Sequence, residues 1–156
     1  MFKPEVTLAC VIEYDGKFLL VEEQKQGQML LNNPAGHLEP GESLIQGAQR
    51  EILEETGLDI SPQGLVGVYL APTAEAGRSY LRFCFYYKYD SLPPTSKPLD
   101  PEISCTHWMT KAELVAASSR HRSGLVLKGI EDYLSGQRAP LTLLHYCPDQ
   151  QIDRSS

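Results

Sequence analysis

A chain of 156 residues with 42% hydrophobic residues and a formal net charge of −6 is long enough for one domain, residues 1–156, with its own core, and too apolar for a disordered chain. The acidic balance argues against the basic surface with which proteins displace counterions from nucleic acid, so no nucleic-acid partner is expected. Apolar runs such as Leu8 to Ile12 and Phe18 to Val21 are far shorter than a membrane span, and the start MFKPEVT lacks the apolar core of a signal peptide, so a cytoplasmic monomer without a membrane partner is expected.

Glu5 to Tyr14 is rich in β-branched residues and predicts a strand. Asp15-Gly16 is a hairpin signal, and Lys17 to Glu23 answers as the return strand. A polar stretch, Gln24 to Gln28, leads to a short apolar piece, Met29 to Leu31. Asn32 to Glu42 contains Pro34, Gly36, Pro40 and Gly41 and predicts a loop. Ser43 to Thr56 predicts a helix. Ser43 and Gln46 have capping-box spacing, Leu44, Ala48 and Ile52 recur every four residues with Ile45 beside them, and Gly57 stops the run.

Leu65 to Ala71 and Tyr80 to Tyr89 predict further strands joined by a polar loop with Gly77 and Arg78. Along the second, Phe83, Phe85, Tyr87 and Tyr89 alternate on one face, a core pattern more than a stacking platform. Ser91 to Pro101 holds four prolines and predicts a loop. Ile103 to Trp108 is a short strand, Thr110 and Glu113 form a second capping box opening a short helix, and Gly124 to Leu134 is a final helix closed by Gly136. From Gln137 the tail has no clear pattern. Strands and helices mix without regular βαβ alternation, so an α/β fold with helices on both faces of a mixed β-sheet is expected. The four cysteines, Cys10, Cys84, Cys105 and Cys147, form no CxxC pair. They are expected to be reduced and mostly buried small hydrophobes, without a redox or zinc role.

The chemistry concentrates in Arg50-Glu51-Ile52-Leu53-Glu54-Glu55. On a helix, Glu51, Glu54 and Glu55 fall within an arc of about 100°. They repel one another and lie near the helix C-terminus, where the dipole disfavours negative charge. An acidic stripe by itself is usually a solvated face. A hard divalent cation reverses the sign of the repulsion, because Mg²⁺ prefers oxygen ligands, and it also supplies the positive charge that an acidic protein needs to handle phosphates.

The wider spacing selects between these readings. Gly36, five residues, Glu42, seven residues, then Arg50-Glu51, apolar Ile52, one residue, Glu54-Glu55, one residue, Gly57 and apolar Leu58 resembles the Nudix box, Gx5Ex7REUxEExGU with U apolar, at every position. Chance agreement is on the order of one in a billion per start site. The resemblance implies a Nudix-like α/β/α sandwich and a hydrolase that cuts phosphoanhydrides with Mg²⁺, or with Mn²⁺ in its place. It implies that Glu51, Glu54, Glu55 and the Gly36 carbonyl hold metal, that Arg50 positions the glutamates, and that Glu42 braces the loop. The water's proton would go to Glu54 or Glu102. A glutamate near position 102 acts as ligand or base in MutT-like members, while the plain reading of Glu102 is an ordinary loop carboxylate. Arg82 has two readings, a phosphate contact and a surface ion pair, and His37 is taken as structural. The approach to the box departs from the common pattern, with Leu31 where many members carry tryptophan, Asn33 where an apolar residue is common, and Ala35 where glycine is common.

Outside the box, KPEVTLACVIEYDGKFLLVEE, NNPAGHLEPGESL, SYLRFCFYY and DYLSGQRAPL are similar to a bacterial subgroup, the NudJ-type phosphatases. That similarity implies permissive action on nucleoside tri- and diphosphates and on small pyrophosphates such as hydroxymethylpyrimidine pyrophosphate and thiamine pyrophosphate. Two alternatives stay open: a house-cleaning hydrolase for 8-oxo-dGTP or ADP-ribose, and a nucleotide-sensing domain without catalysis.

Overall fold

In a computed structural model, which describes residues 1–148, seven strands form one mixed sheet. Strand β1 (Glu5–Tyr14) turns at Asp15-Gly16 into β2 (Lys17–Lys25). Both turn residues have positive φ, 49° and 74°, as the twist of a two-residue hairpin requires. A second turn, Gln26-Gly27, with φ 52° and 77°, joins β2 to β3 (Gln28–Asn32). The polar stretch after Glu23 is therefore the end of one strand and a hairpin turn.

The predicted loop 32–42 is corrected in part. Ala35–His37 forms a short strand, β4, paired antiparallel with Thr7–Ala9 of β1. The reason is a divergence: β1 pairs with β2 only next to their turn, at Glu13 and Tyr14. Farther from the turn, β2 takes β3 as its neighbour, and the freed edge of β1 accepts β4. Unpaired backbone groups there would be costly.

Helix α1 (Leu44–Thr56) follows, with the Ser43 capping box formed and Gly57 left-handed at its end. Strands β5 (Gly64–Pro72) and β6 (Ser79–Tyr89) are antiparallel to each other, and β6 runs parallel to β1 along all ten residues of β1. The loop 91–101 leads to β7 (Ile103–Thr110), which pairs with β2. Helix α2 (Lys111–Ala116) starts at the Thr110 capping box, and α3 (Leu125–Leu134) follows a single 3-10 turn at Ser118–Arg120.

Helices cover both faces, as expected. Ala48 and Ile52 of α1 pack with Leu8, Cys10, Ile12 and Phe85 on one side. Val126, Ile130 and Tyr133 of α3 and Leu114 of α2 pack with Val11, Phe18 and Leu20 on the other. Leu8 to Ile12 is buried at every position, as befits a strand covered on both faces. Phe83, Tyr87 and Tyr89 pack beside Phe85 in the α1-side core, as their alternation predicts. After residue 137 the chain is held by an Ala139–Leu65 bridge and by Arg138, whose guanidinium lies over the rings of Tyr86 and Tyr133. All four cysteines are free, but only Cys10 and Cys84 are buried. Cys105 is half-buried and Cys147 exposed. No helix among the described residues is long and apolar enough to cross a membrane.

Candidate active site

Three pieces converge at one end of the sheet: β4, α1, and the loop that precedes β7. The loop docks onto the end of α1 through backbone bonds, Lys97 N–H to Thr56 O at 2.7 Å and both Leu99 N–H and Asp100 N–H to Glu54 O at 2.8 Å. These satisfy carbonyls that a helix end otherwise leaves unpaired. Gly57 is needed here for two reasons. Its φ is +75°, and a Cβ on it would meet the Lys97 carbonyl oxygen at 2.5 Å.

Arg50 is the hub. Its Nε and Nη2 donate to the two oxygens of Glu42 at 2.9 and 2.8 Å, its Nη1 donates to Glu51 at 2.8 Å and to Glu54 at 3.3 Å, and Nη2 also donates to the His37 carbonyl at 3.0 Å. One guanidinium thus ties the loop before α1, the end of β4 and two box carboxylates together. Bonds of this charge-assisted kind contribute about 1.5–3 kcal/mol each when shielded from water. Glu42 completes the brace by accepting the Glu39 N–H at 2.8 Å. The Arg50 bonds hold the Glu42 carboxyl below the usual carboxylate range.

Glu51 and Glu55 are buried, at 9% and 6% exposure. Burial raises the pKa of Glu51, opposed by its bond to Arg50. Burial also pushes Glu55 up to about 9, opposed by the Ala35 N–H, which donates to it at 2.8 Å; the charges of Glu51, Glu23 and Asp100 raise it further. Glu54 is the accessible member, its side chain 45% exposed. Gly36 lies against Glu51 so closely that a Cβ there would overlap the Glu51 carboxylate.

Glu51, packed on the side-chain-free backbone at Gly36, and Glu55 are buried carboxylates that resist ionisation and are incompletely neutralised by protein, while Glu54 stands exposed on the same helix. A divalent cation fits that chemistry, with Glu51, Glu54, Glu55 and the Gly36 carbonyl as its candidate holders.

Glu102 is exposed, and its backbone N–H is held by Asp100 Oδ1 at 2.9 Å. Its carboxylate makes no hydrogen bond or ion pair among the described residues. Arg82 corrects one expectation: it is not a surface ion pair. It is buried at 7% exposure, its Nη2 donates to Asn33 Oδ1 at 3.0 Å, and no carboxylate pairs with it among the described residues. Burial lowers its pKa. Asn33 Nδ2 and, at the preceding residue, Asn32 Oδ1 are buried without a hydrogen-bond partner among the described residues. His37, taken as structural, contributes its carbonyl to Arg50, while its ring pairs with Glu5 at 3.0 Å.

Sequence reasoning missed Glu23 and noted Asn33 only as a departure from the common pattern, without the contact to Arg82. Glu23 is buried at 8% exposure, pairs with Arg122 at 2.7 Å, and its charge acts on Glu55. The available signal was alternation, since Leu19, Val21 and Glu23 share one face of a strand. A carboxylate at an inward position is rarely neutral in its consequences.

The family model for the NUDIX domain matches residues 1–128. Phosphatase NudJ of Escherichia coli strain K12 is 44% identical over 146 residues, which cover 92% of each chain. A solved NUDIX hydrolase from Nitrosomonas europaea is similar at a TM-score of 0.86 and 47% identity, covering 95% of this chain and 100% of that one. The NUDIX domain of Shewanella oneidensis NrtR, solved with ADP ribose, shares the fold at a TM-score of 0.70 and 18% identity, over 87% of this chain and 90% of that one.

Proposed function

The chain belongs to the NUDIX hydrolase family, and from that premise we propose that it is a Mg²⁺-dependent phosphatase. It cleaves nucleoside tri- and diphosphates and small pyrophosphates, hydroxymethylpyrimidine pyrophosphate and thiamine pyrophosphate among them, and accepts Mn²⁺ in place of Mg²⁺. The observation that carries this reading is the group of box carboxylates, with Glu51 and Glu54 braced by Arg50, Glu55 held by the Ala35 N–H, and Glu51 packed on Gly36. When bound, the cation supplies neutralising charge to the phosphate oxygens and acidifies water.

The protein's own part is positioning and proton handling, as phosphoryl transfer requires. Arg50 fixes the rotamers of Glu51 and Glu54 before substrate arrives, so little reorganisation remains for the transition state. Glu54 is open to solvent and held by a single long bond to Arg50, which suits it to take the proton of the attacking water. Arg82 and Asn33 present polar atoms with spare bonding capacity and are proposed to meet the substrate beside the carboxylates. The organic part is held loosely, because recognition rests on the phosphates.

The test is hydrolysis of GTP, ATP, GDP, 8-oxo-dGTP, ADP-ribose, hydroxymethylpyrimidine pyrophosphate and thiamine pyrophosphate, with Mg²⁺ and after chelation. Nucleoside phosphates and the two small pyrophosphates should fall within about tenfold in kcat/KM, roughly 1.4 kcal/mol in transition-state binding. A thousandfold preference for ADP-ribose or 8-oxo-dGTP would overturn the permissive reading, and full activity after exhaustive chelation would overturn the metal requirement.

A further inference from the structure

On the sheet face opposite α1, a second group of metal-binding side chains assembles that belongs to no part of the box. Glu22 on β2 and Cys105 on β7 are register partners across the two strands. His107, two residues along β7, shares the face of Cys105. Phe18 and Leu20 of β2 and Met109 of β7 continue the same alternation into the core under α2 and α3. The triad is thus separated from the box carboxylates by the sheet.

Its three ligand atoms form a compact triangle. Cys105 Sγ lies 3.1 Å from Glu22 Oε2 and 3.3 Å from His107 Nε2, and the two hard atoms are 3.6 Å apart. Zinc bond lengths with tetrahedral angles require ligand separations of roughly 3.4–3.6 Å. Each edge is within about half an ångström of that range, reachable by small side-chain rotations. Arg120 Nη1 holds the other carboxylate oxygen, Glu22 Oε1, at 3.2 Å and so aims Oε2 at Cys105 and His107, the kind of outer support that orients metal ligands. Glu22 is mostly shielded, and His107 keeps 43% of its side-chain surface, leaving an approach from solvent.

We propose that Glu22, Cys105 and His107 form a site for a divalent cation of the zinc class, with the fourth coordination position open to water. The mixed sulfur, nitrogen and oxygen set separates it from the all-oxygen box, since thiolate and imidazole favour zinc-like ions over magnesium. Bound there, the ion ties β7 to β2. Cys105 enters as thiolate, so one proton passes from Sγ to solvent for each ion bound. Because that proton must leave, affinity rises with pH. Nothing in the spacing announces the group, because Glu22 and Cys105 are 83 residues apart.

Cobalt(II) tests the site on the reduced full chain. Only a sulfur ligand gives a thiolate-to-cobalt charge-transfer absorption, so cobalt held by the box carboxylates is silent in that band. The expected result is a band that saturates near one equivalent, is displaced by Zn²⁺, disappears in Cys105→Ser, and needs at least about tenfold more cobalt in Glu22→Gln and in the surface variant His107→Ala. It should persist in Cys147→Ser and in Glu54→Gln, which leaves the triad intact while disabling the proposed hydrolytic site. No band in the wild-type protein, a band that survives Cys105→Ser, or one lost in Cys147→Ser would overturn the proposal. Circular dichroism of each variant separates loss of the site from loss of the fold, and His107→Ala decides if Cys105→Ser does not fold.

Discussion

Gly36 and Glu51 are packed so tightly that a single methyl group at position 36 would overlap the Glu51 carboxylate, with both carboxylate oxygens within 2.3 Å of it. The glycine is needed here for closeness of approach and not for an unusual φ. Glu51 cannot swing away freely, because Arg50 bonds it at 2.8 Å and it is buried. Gly36→Ala should therefore displace Glu51 or β4 by about an ångström or more, the distance needed to bring the overlap out to van der Waals contact. Misplacement on that scale costs about a hundredfold in rate. The expected outcome is a kcat/KM lower by about that factor with the fold retained and stability reduced by about 1–3 kcal/mol, measured by steady-state kinetics and thermal unfolding. Near wild-type kinetics would show that Glu51 is not part of the working site.

Glu54→Gln preserves shape and removes one charge from the carboxylate cluster. With its side chain 45% exposed, the change should leave stability unaltered or slightly raised, since like charges on one helix face repel. Turnover should fall by about 10²–10⁴, the usual contribution of a positioned acid or base. Turnover near wild type would remove Glu54 from the chemistry.

Glu102→Gln distinguishes the two candidate proton acceptors. Glu102 is exposed, and only its backbone N–H is engaged. We expect less than about a tenfold loss of turnover and unchanged metal affinity. A collapse by about 10²–10⁴ would assign the base to Glu102 instead of Glu54.

Glu42 carries the pH dependence of the brace. The Arg50 pair lowers its folded-state pKa below 4.5, so the stability it supplies is present above that value and is lost as pH falls through the folded pKa. Glu42→Gln leaves Arg50 with fewer partners and should cost about 1–3 kcal/mol at neutral pH. Urea unfolding from pH 7 downward should show the wild-type advantage shrinking below about pH 4.5. An advantage independent of pH would mean that Glu42 acts through packing alone.

What the amino-acid order determined by itself was everything carried by neighbours along the chain. The helix 44–56 was legible because its cap at Ser43, its four-residue apolar repeat and its stop at Gly57 are local, and they agree with one another. The same helix geometry put Glu51, Glu54 and Glu55 on one face, and the box spacing gave them a chemical meaning. Both hairpin strands around Asp15-Gly16 and both capping boxes follow equally from local rules.

Tertiary structure decided whatever depends on partners distant in sequence. Residues 35–37 became a strand only because β1 and β2 part company and leave an edge to be paired. Arg82 was drawn inside by the parity of β6 and by Asn33, 49 residues away. The α1-side face of β2 carries Glu23 toward Glu55, while the next position back, Glu22, points through the other face to Cys105 and His107. A strand shows its alternation in the sequence, but which face meets a helix, and which side chain waits opposite, is set by strand register and burial. Those are long-range choices, fixed only when the whole sheet closes.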